Sequence, residues 1–148
     1  MGGYQTVVVG TDGSDSSLRA VDRAGQLASG SGAKVIVATA YLPAPGDARA
    51  ADILKDEGYK MQGNAPIYDL LHDAAERAKA AGANEVEERA IVGAPVDALV
   101  ELAEEVGADL LVIGNVGLNT IAGRLLGSVP ANVARRSKTD VLIVHTTG

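Results

Sequence analysis

The chain has no cysteine, no phenylalanine and no tryptophan, and only four tyrosines among its 148 residues. Without cysteine there is no disulfide framework and no thiolate metal site, which fits a reducing compartment. Without large aromatics the core has to be built from Val, Ile, Leu and Ala, and stacking platforms for nucleic-acid bases are missing. A net charge of −6 also argues against a polyanionic partner. No apolar run approaches the ~20 residues of a membrane span. The opening "MGGYQTVVVG" has no room for a signal peptide. It fits a myristoylation pattern, but Thr6 already reads as part of a first strand, which weighs against a lipid anchor. The expectation is a cytoplasmic protein without nucleic-acid or membrane partners.

What is present is apolar: 47% of the residues are hydrophobic, enough for one domain, spanning 1–148, to bury a core. The chain alternates between two periods. "YQTVVVG" (4–10) is short and β-branched, as a buried strand is. "SDSSLRAVDRAGQLASG" follows with Leu18, Val21, Ala24 and Leu27 at helical spacing, and Gly30 is placed to cap its end. "KVIVATAYL" (34–42) is a second strand. "NAPIYDLLHDAAERAKAAG" is a helix with Ile67, Leu70, Leu71, Ala74, Ala75 and Ala78 on one face. "EVEERAIVG" (85–93) carries so many charges that it reads as an edge strand. "PVDALVELAEEVGA" begins with Pro95 and lines up Val96, Leu99, Val100 and Ala103. "DLLVIG" (109–114) and "DVLIVH" (140–145) are strands four and five, with the helix "SVPANVARRSK" between them.

Such alternation means an α/β fold with a parallel sheet covered by helices on both faces; the expected arrangement is a doubly wound five-stranded sheet in the order 3-2-1-4-5. The segment 43–63 interrupts the pattern and reads as a lid or as a surface excursion with a short helix at 48–56.

Function in these sheets sits at the carboxyl ends of the strands, where strand order reverses. Two glycine-rich loops meet there. One is "GTDGSDSS", opened by Gly10 after strand one; the other is "GNVGLNTIAGRLLGS" (114–128) after strand four. Glycine allows positive φ and close backbone approach, and successive free N–H groups make an anion nest. Ser128 can cap a helix whose first turn favours an anion. The second loop therefore reads as a phosphate cradle, although it has no Walker lysine. Asp12 repels phosphate but can accept hydrogen bonds from ribose hydroxyls.

Gly114-Asn115-Val116-Gly117, nine residues, then Gly127-Ser128 matches the G-x2-G-x9-G-S/T motif of ATP-binding universal stress proteins. "VVVGTDGSDSS" and "VARRSKTDVLIVH" also resemble that family, so the resemblance covers the whole chain. It is strongest to mycobacterial members that bind cyclic AMP. The resemblance implies an adenine nucleotide in the crevice, and the favoured reading is a non-enzymatic protein that senses or sequesters it. The resemblance also implies a homodimer, which the apolar last strand (141–146) would close. The expected ligand is cyclic AMP, or more weakly ATP, for which magnesium is a possible companion, and no cofactor is expected to be required. It further implies Asp12 as ribose partner, Ala40 at the adenine edge and Ile113 near base and ribose. Gly114, Gly117, Gly127, Ser128 and Val129 would hold phosphate. The sequence departs from many relatives at Asn115-Val116, at Pro130 and at Asp140, where a proline is usual.

Other chemistries have less support. His72 and His145 belong to no recognisable pair; His72 reads as solvated and His145 as structural or near a subunit contact. Glu101, Glu104 and Glu105 form a solvated helix face. Ser14, Ser16 and Ser17 read as capping residues. Arg124, Arg135 and Arg136 either meet phosphate or balance surface charge. A slow ATP hydrolase and an interaction scaffold with a vestigial crevice are the alternatives.

Overall fold

Val7, Val8 and Val9 fill the middle of β1 (Thr6–Gly10) and have no solvent exposure. The computed structural model describes residues 4–41, 65–114, 133 and 135–145. A strand this apolar has to be covered on both faces, and the chain supplies the cover in order. It continues as α1 (Asp15–Ser31), β2 (Lys34–Tyr41), α2 (Ala65–Ala81), β3 (Glu85–Val92), α3 (Pro95–Glu105), β4 (Leu110–Gly114) and β5 (Asp140–Val144). The five strands are all parallel and lie in the order β3-β2-β1-β4-β5, the expected doubly wound arrangement.

Side-chain alternation divides the core in two. Val7, Val9, Val35, Val37 and Val112 pack with the buried faces of α1 and α2. Val8, Ile36, Leu111 and Ile113 face the other way and pack with Leu99 and Leu102 of α3 and with Val133. Val133, Arg135 and Arg136 are helical, and the Ser137 N–H closes a turn on the Val133 carbonyl at 2.9 Å. The rest of the helix expected before β5, and the short helix expected at 48–56, lie outside the described residues.

Local signals explain the ends of the elements. Ser14 caps α1 by accepting the Ser17 N–H at 3.2 Å, and Asp15 sits in the first turn, where the helix dipole favours a carboxylate. The far end differs from the sequence expectation. The helix does not stop at Gly30 but runs to Ser31 and closes on Gly32, whose N–H bonds the Ala28 carbonyl at 2.7 Å. Gly32 has the left-handed φ of 74° that this cap requires, so the second of two glycines, not the first, ends the helix.

The charged third strand is at the edge, as expected. A ladder of ion pairs covers it: Lys34 with Glu87 at 2.7 Å, Glu87 with Arg89 at 3.2 Å, and Arg89 with Glu105 of α3 at 2.8 Å. The hydrogen bond from Lys34, then that from Arg89, holds the Glu87 carboxyl below its ordinary range. At the opposite end of the sheet the strand starts are tied together. The Asp109 carboxylate accepts the N–H groups of Gln5 and Thr6. The Tyr4 hydroxyl donates to Asp140 at 3.0 Å, which raises the phenol's pKa and gives a role to the residue that replaces the usual proline.

Candidate functional site

β1 is flanked by β2 on one side and β4 on the other, so the order of connection reverses beside it. The carboxyl ends of these three strands bring together residues distant in sequence. Gly10 lies level with Ala38 of β2, and the Thr11 N–H continues the ladder to the Ala38 carbonyl at 2.9 Å. On the other side Val9 lies level with Val112, just before Ile113 and Gly114 at the end of β4. Gly10 and Gly114 are buried, Ala40 is half-buried, and Ile113 is fully buried in the α3-side core.

Immediately after β1 the chain makes a tight polar turn into α1. Ser17 Oγ donates to the Ser14 carbonyl at 3.0 Å and accepts the Asp12 N–H at 3.2 Å. A hydroxyl has one proton, so the 2.7 Å contact between Thr11 Oγ1 and Ser17 Oγ is donated by Thr11. Thr11 Oγ1 in turn accepts the Gly13 N–H at 3.0 Å. Gly13 has φ of 85° and lies against Leu70 of α2, to which an added β-carbon would come within 3.6 Å.

Asp12 is held within this turn. Its Oδ1 accepts the Ser14 N–H at 2.9 Å, an Asx turn that sets the side chain's direction. Its Oδ2 is buried and has no hydrogen-bond partner among the described residues. Burying a carboxylate oxygen unpaired is costly. The atom is therefore an acceptor with capacity left for a further donor.

The other half of the expected site, Asn115, Val116, Gly117, Gly127, Ser128 and Val129, lies outside the described residues, as do Pro130 and Arg124. Arg136 pairs with Asp97 at 2.6 Å, the surface-balancing reading of that residue. His72 is solvated, its side chain 67% exposed, and lies 3.7 Å from Glu88. His145 is exposed, as are Glu101 and Glu104. Glu105 is exposed too but engages Arg89. Among the described residues no three His, Asp or Glu side chains converge as a metal site.

Sequence reasoning missed Ser17. It is not a cap but fully buried, alongside Thr11. The signal was there: Ser17 is on the same stripe as Ala20, Val21, Ala24 and Ala28, the buried residues of α1. A serine at an apolar position is a buried hydroxyl looking for partners.

Comparison with known proteins gives a consistent result. The model of the universal stress protein family matches residues 3–145. A universal stress protein of Mycobacterium tuberculosis is 76% identical over 99% of this chain and 100% of its own. The solved structure of a universal stress protein in complex with cyclic AMP is 70% identical, with a TM-score of 0.78 over 99% of this chain and 100% of that one. The universal stress protein of Archaeoglobus fulgidus in complex with dAMP is 27% identical, with a TM-score of 0.66 over 96% of this chain and 98% of that one.

Proposed function

The chain belongs to the universal stress protein family, and from that premise we propose that it binds an adenine nucleotide, cyclic AMP in preference to ATP, in the crevice between β1 and β4. The observation that carries this is the buried, unpartnered Oδ2 of Asp12 at the switch point of the sheet. Cyclic AMP has one free ribose hydroxyl, the 2′, since its 3′ and 5′ oxygens are in the phosphodiester ring. That hydroxyl is the donor which the open Asp12 oxygen accepts in this reading. The cyclic AMP complex of a 70% identical chain supports the same choice.

Gly10 and Asp12 line one wall, with Ala40 at the adenine edge and Ile113 near base and ribose. Gly114, Gly117, Gly127, Ser128 and Val129 cradle the phosphate, and Asn115 and Val116 belong to the same nucleotide-binding loop. The protein works by occupancy, not by turnover: it senses or sequesters the nucleotide in the cytoplasm, as a homodimer closed through residues 141–146.

The G-x2-G-x9-G-S spacing favours a second reading, an ATP-binding protein with slow hydrolysis. Competition of cyclic AMP and ATP against one labelled nucleotide, with and without magnesium, separates the two. Cyclic AMP should displace the label at lower concentration, and no ADP should form. Displacement by ATP at lower concentration, or magnesium-dependent release of ADP, overturns the first reading.

A further inference from the structure

The Asp12 turn rests on a pair of hydroxyls that solvent does not reach. Thr11 is 1% exposed and Ser17 is 0% exposed. Their hydrogen bonds form a chain with one direction. Gly13 N–H donates to Thr11 Oγ1, Thr11 donates to Ser17 Oγ, and Ser17 donates to the Ser14 carbonyl. The Asp12 N–H is Ser17's second incoming donor. Thr11 and Ser17 thus each spend their single proton inside the turn, and neither hydroxyl has a proton left for Asp12 Oδ2. The network fixes the backbone on both sides of Asp12 and leaves that oxygen open.

We infer that Thr11 and Ser17 are positioning residues for nucleotide binding: their buried hydroxyl pair sets the Asp12 turn so that Oδ2 meets a ribose hydroxyl. The inference rests on the reading of Asp12 as the ribose partner. Neither hydroxyl touches the ligand. They act by holding the carboxylate in one direction before the ligand arrives, which removes an ordering cost from binding. Two buried hydroxyls are an unusual choice where Val and Ala would fill the space between a valine-rich strand and an alanine-rich helix. Their bonds go to the turn's backbone at residues 12, 13 and 14, the segment that orients Asp12.

The readout is the ratio of affinities for cyclic AMP and its 2′-deoxy analogue, measured by calorimetry on the full chain. A general loosening of the fold weakens both ligands alike and leaves the ratio unchanged. Loss of the carboxylate's direction weakens only the one with the hydroxyl. Thr11→Val keeps the side chain's volume and removes its hydroxyl; Ser17→Ala removes the acceptor of the Asp12 N–H. Each should bring a ratio of about tenfold in the parent down towards one, with a circular dichroism spectrum that stays folded. Thr11→Ser, which retains Oγ, should keep the parent ratio.

Folded Thr11→Val and Ser17→Ala proteins that keep the parent ratio overturn the positioning role, and so does a Thr11→Ser protein that loses it. If one variant fails to fold, the other decides. A parent that binds both nucleotides equally overturns instead the reading of Asp12, and the positioning role with it.

Discussion

Asp12 and Ser14 are joined by a 2.9 Å hydrogen bond from the Ser14 N–H to Asp12 Oδ1, while Asp12 Oδ2 is buried without a partner among the described residues. Asp12→Ala removes the remaining oxygen and should cost about 1.5–3 kcal/mol of nucleotide binding, the usual worth of a charged hydrogen bond. The 2′-deoxy nucleotide should lose a similar amount on the parent and little more on the variant. Calorimetry over the four combinations checks this. Fully additive losses would mean that Asp12 and the 2′-hydroxyl do not meet.

The two helices on one face of the sheet approach through a glycine. A β-carbon at Gly25 would stand 2.6 Å from the Ala78 carbonyl oxygen and 2.7 Å from the Ala81 side chain. A backbone oxygen cannot swing aside, so Gly25→Ala has to push α1 and α2 apart. The expected loss is about 1–3 kcal/mol of stability by urea unfolding, with the nucleotide site intact. An unchanged midpoint would show that the helices separate freely.

The edge ladder predicts a pH dependence. Glu87 has a lowered carboxyl pKa because Lys34 and Arg89 donate to it. A carboxylate whose folded-state pKa lies below its unfolded value contributes stability above the unfolded value, about 4.3 for glutamate, and loses it as the pH falls through the folded one. Glu87→Gln should therefore destabilise the protein at neutral pH, with the deficit shrinking below about pH 4.3. Thermal unfolding across that range checks it. A deficit that is constant with pH assigns the effect to packing.

β5 is an edge strand, and its Ile143 is 41% exposed. An apolar edge is an open template for pairing, and a two-fold axis through it closes the surface without further growth. Light scattering at micromolar concentration should give a dimer, and Ile143→Lys should give a folded monomer. A parent that is already monomeric rules this interface out.

Pro130 stands two residues after Ser128. Proline lacks the N–H that a β- or γ-phosphate would use near a helix start. Restoring that N–H with Pro130→Thr should raise ATP affinity and narrow the preference for cyclic AMP, read by the same competition experiment. ATP affinity that does not change would leave proline with no part in the choice of nucleotide.

The strands, the helices and the outer place of β3 were legible in the chain, and the full strand order was an expectation that the fold bears out. Val7–Val9 and Leu110–Gly114 are apolar throughout, the helical stripes lie between strands, and charges crowd onto Glu85–Val92, so only a covered parallel sheet with β3 outside satisfies burial. The sequence also singled out Asp12, because a carboxylate at the end of a buried strand needs a reason. It could not choose between Gly30 and Gly32, because either glycine can take the cap and only the docking of α1 sets where the helix has to turn. The stripe of α1 turns Ser17 inward, but nothing along the chain reveals that it meets Thr11, or that Asp12 keeps one oxygen open. Those depend on which hydroxyls meet once strand and helix are packed. Hydrophobic periodicity is a local property that the chain carries along its length. The pairing of polar atoms depends on distances of about 3 Å, and only the folded chain sets them.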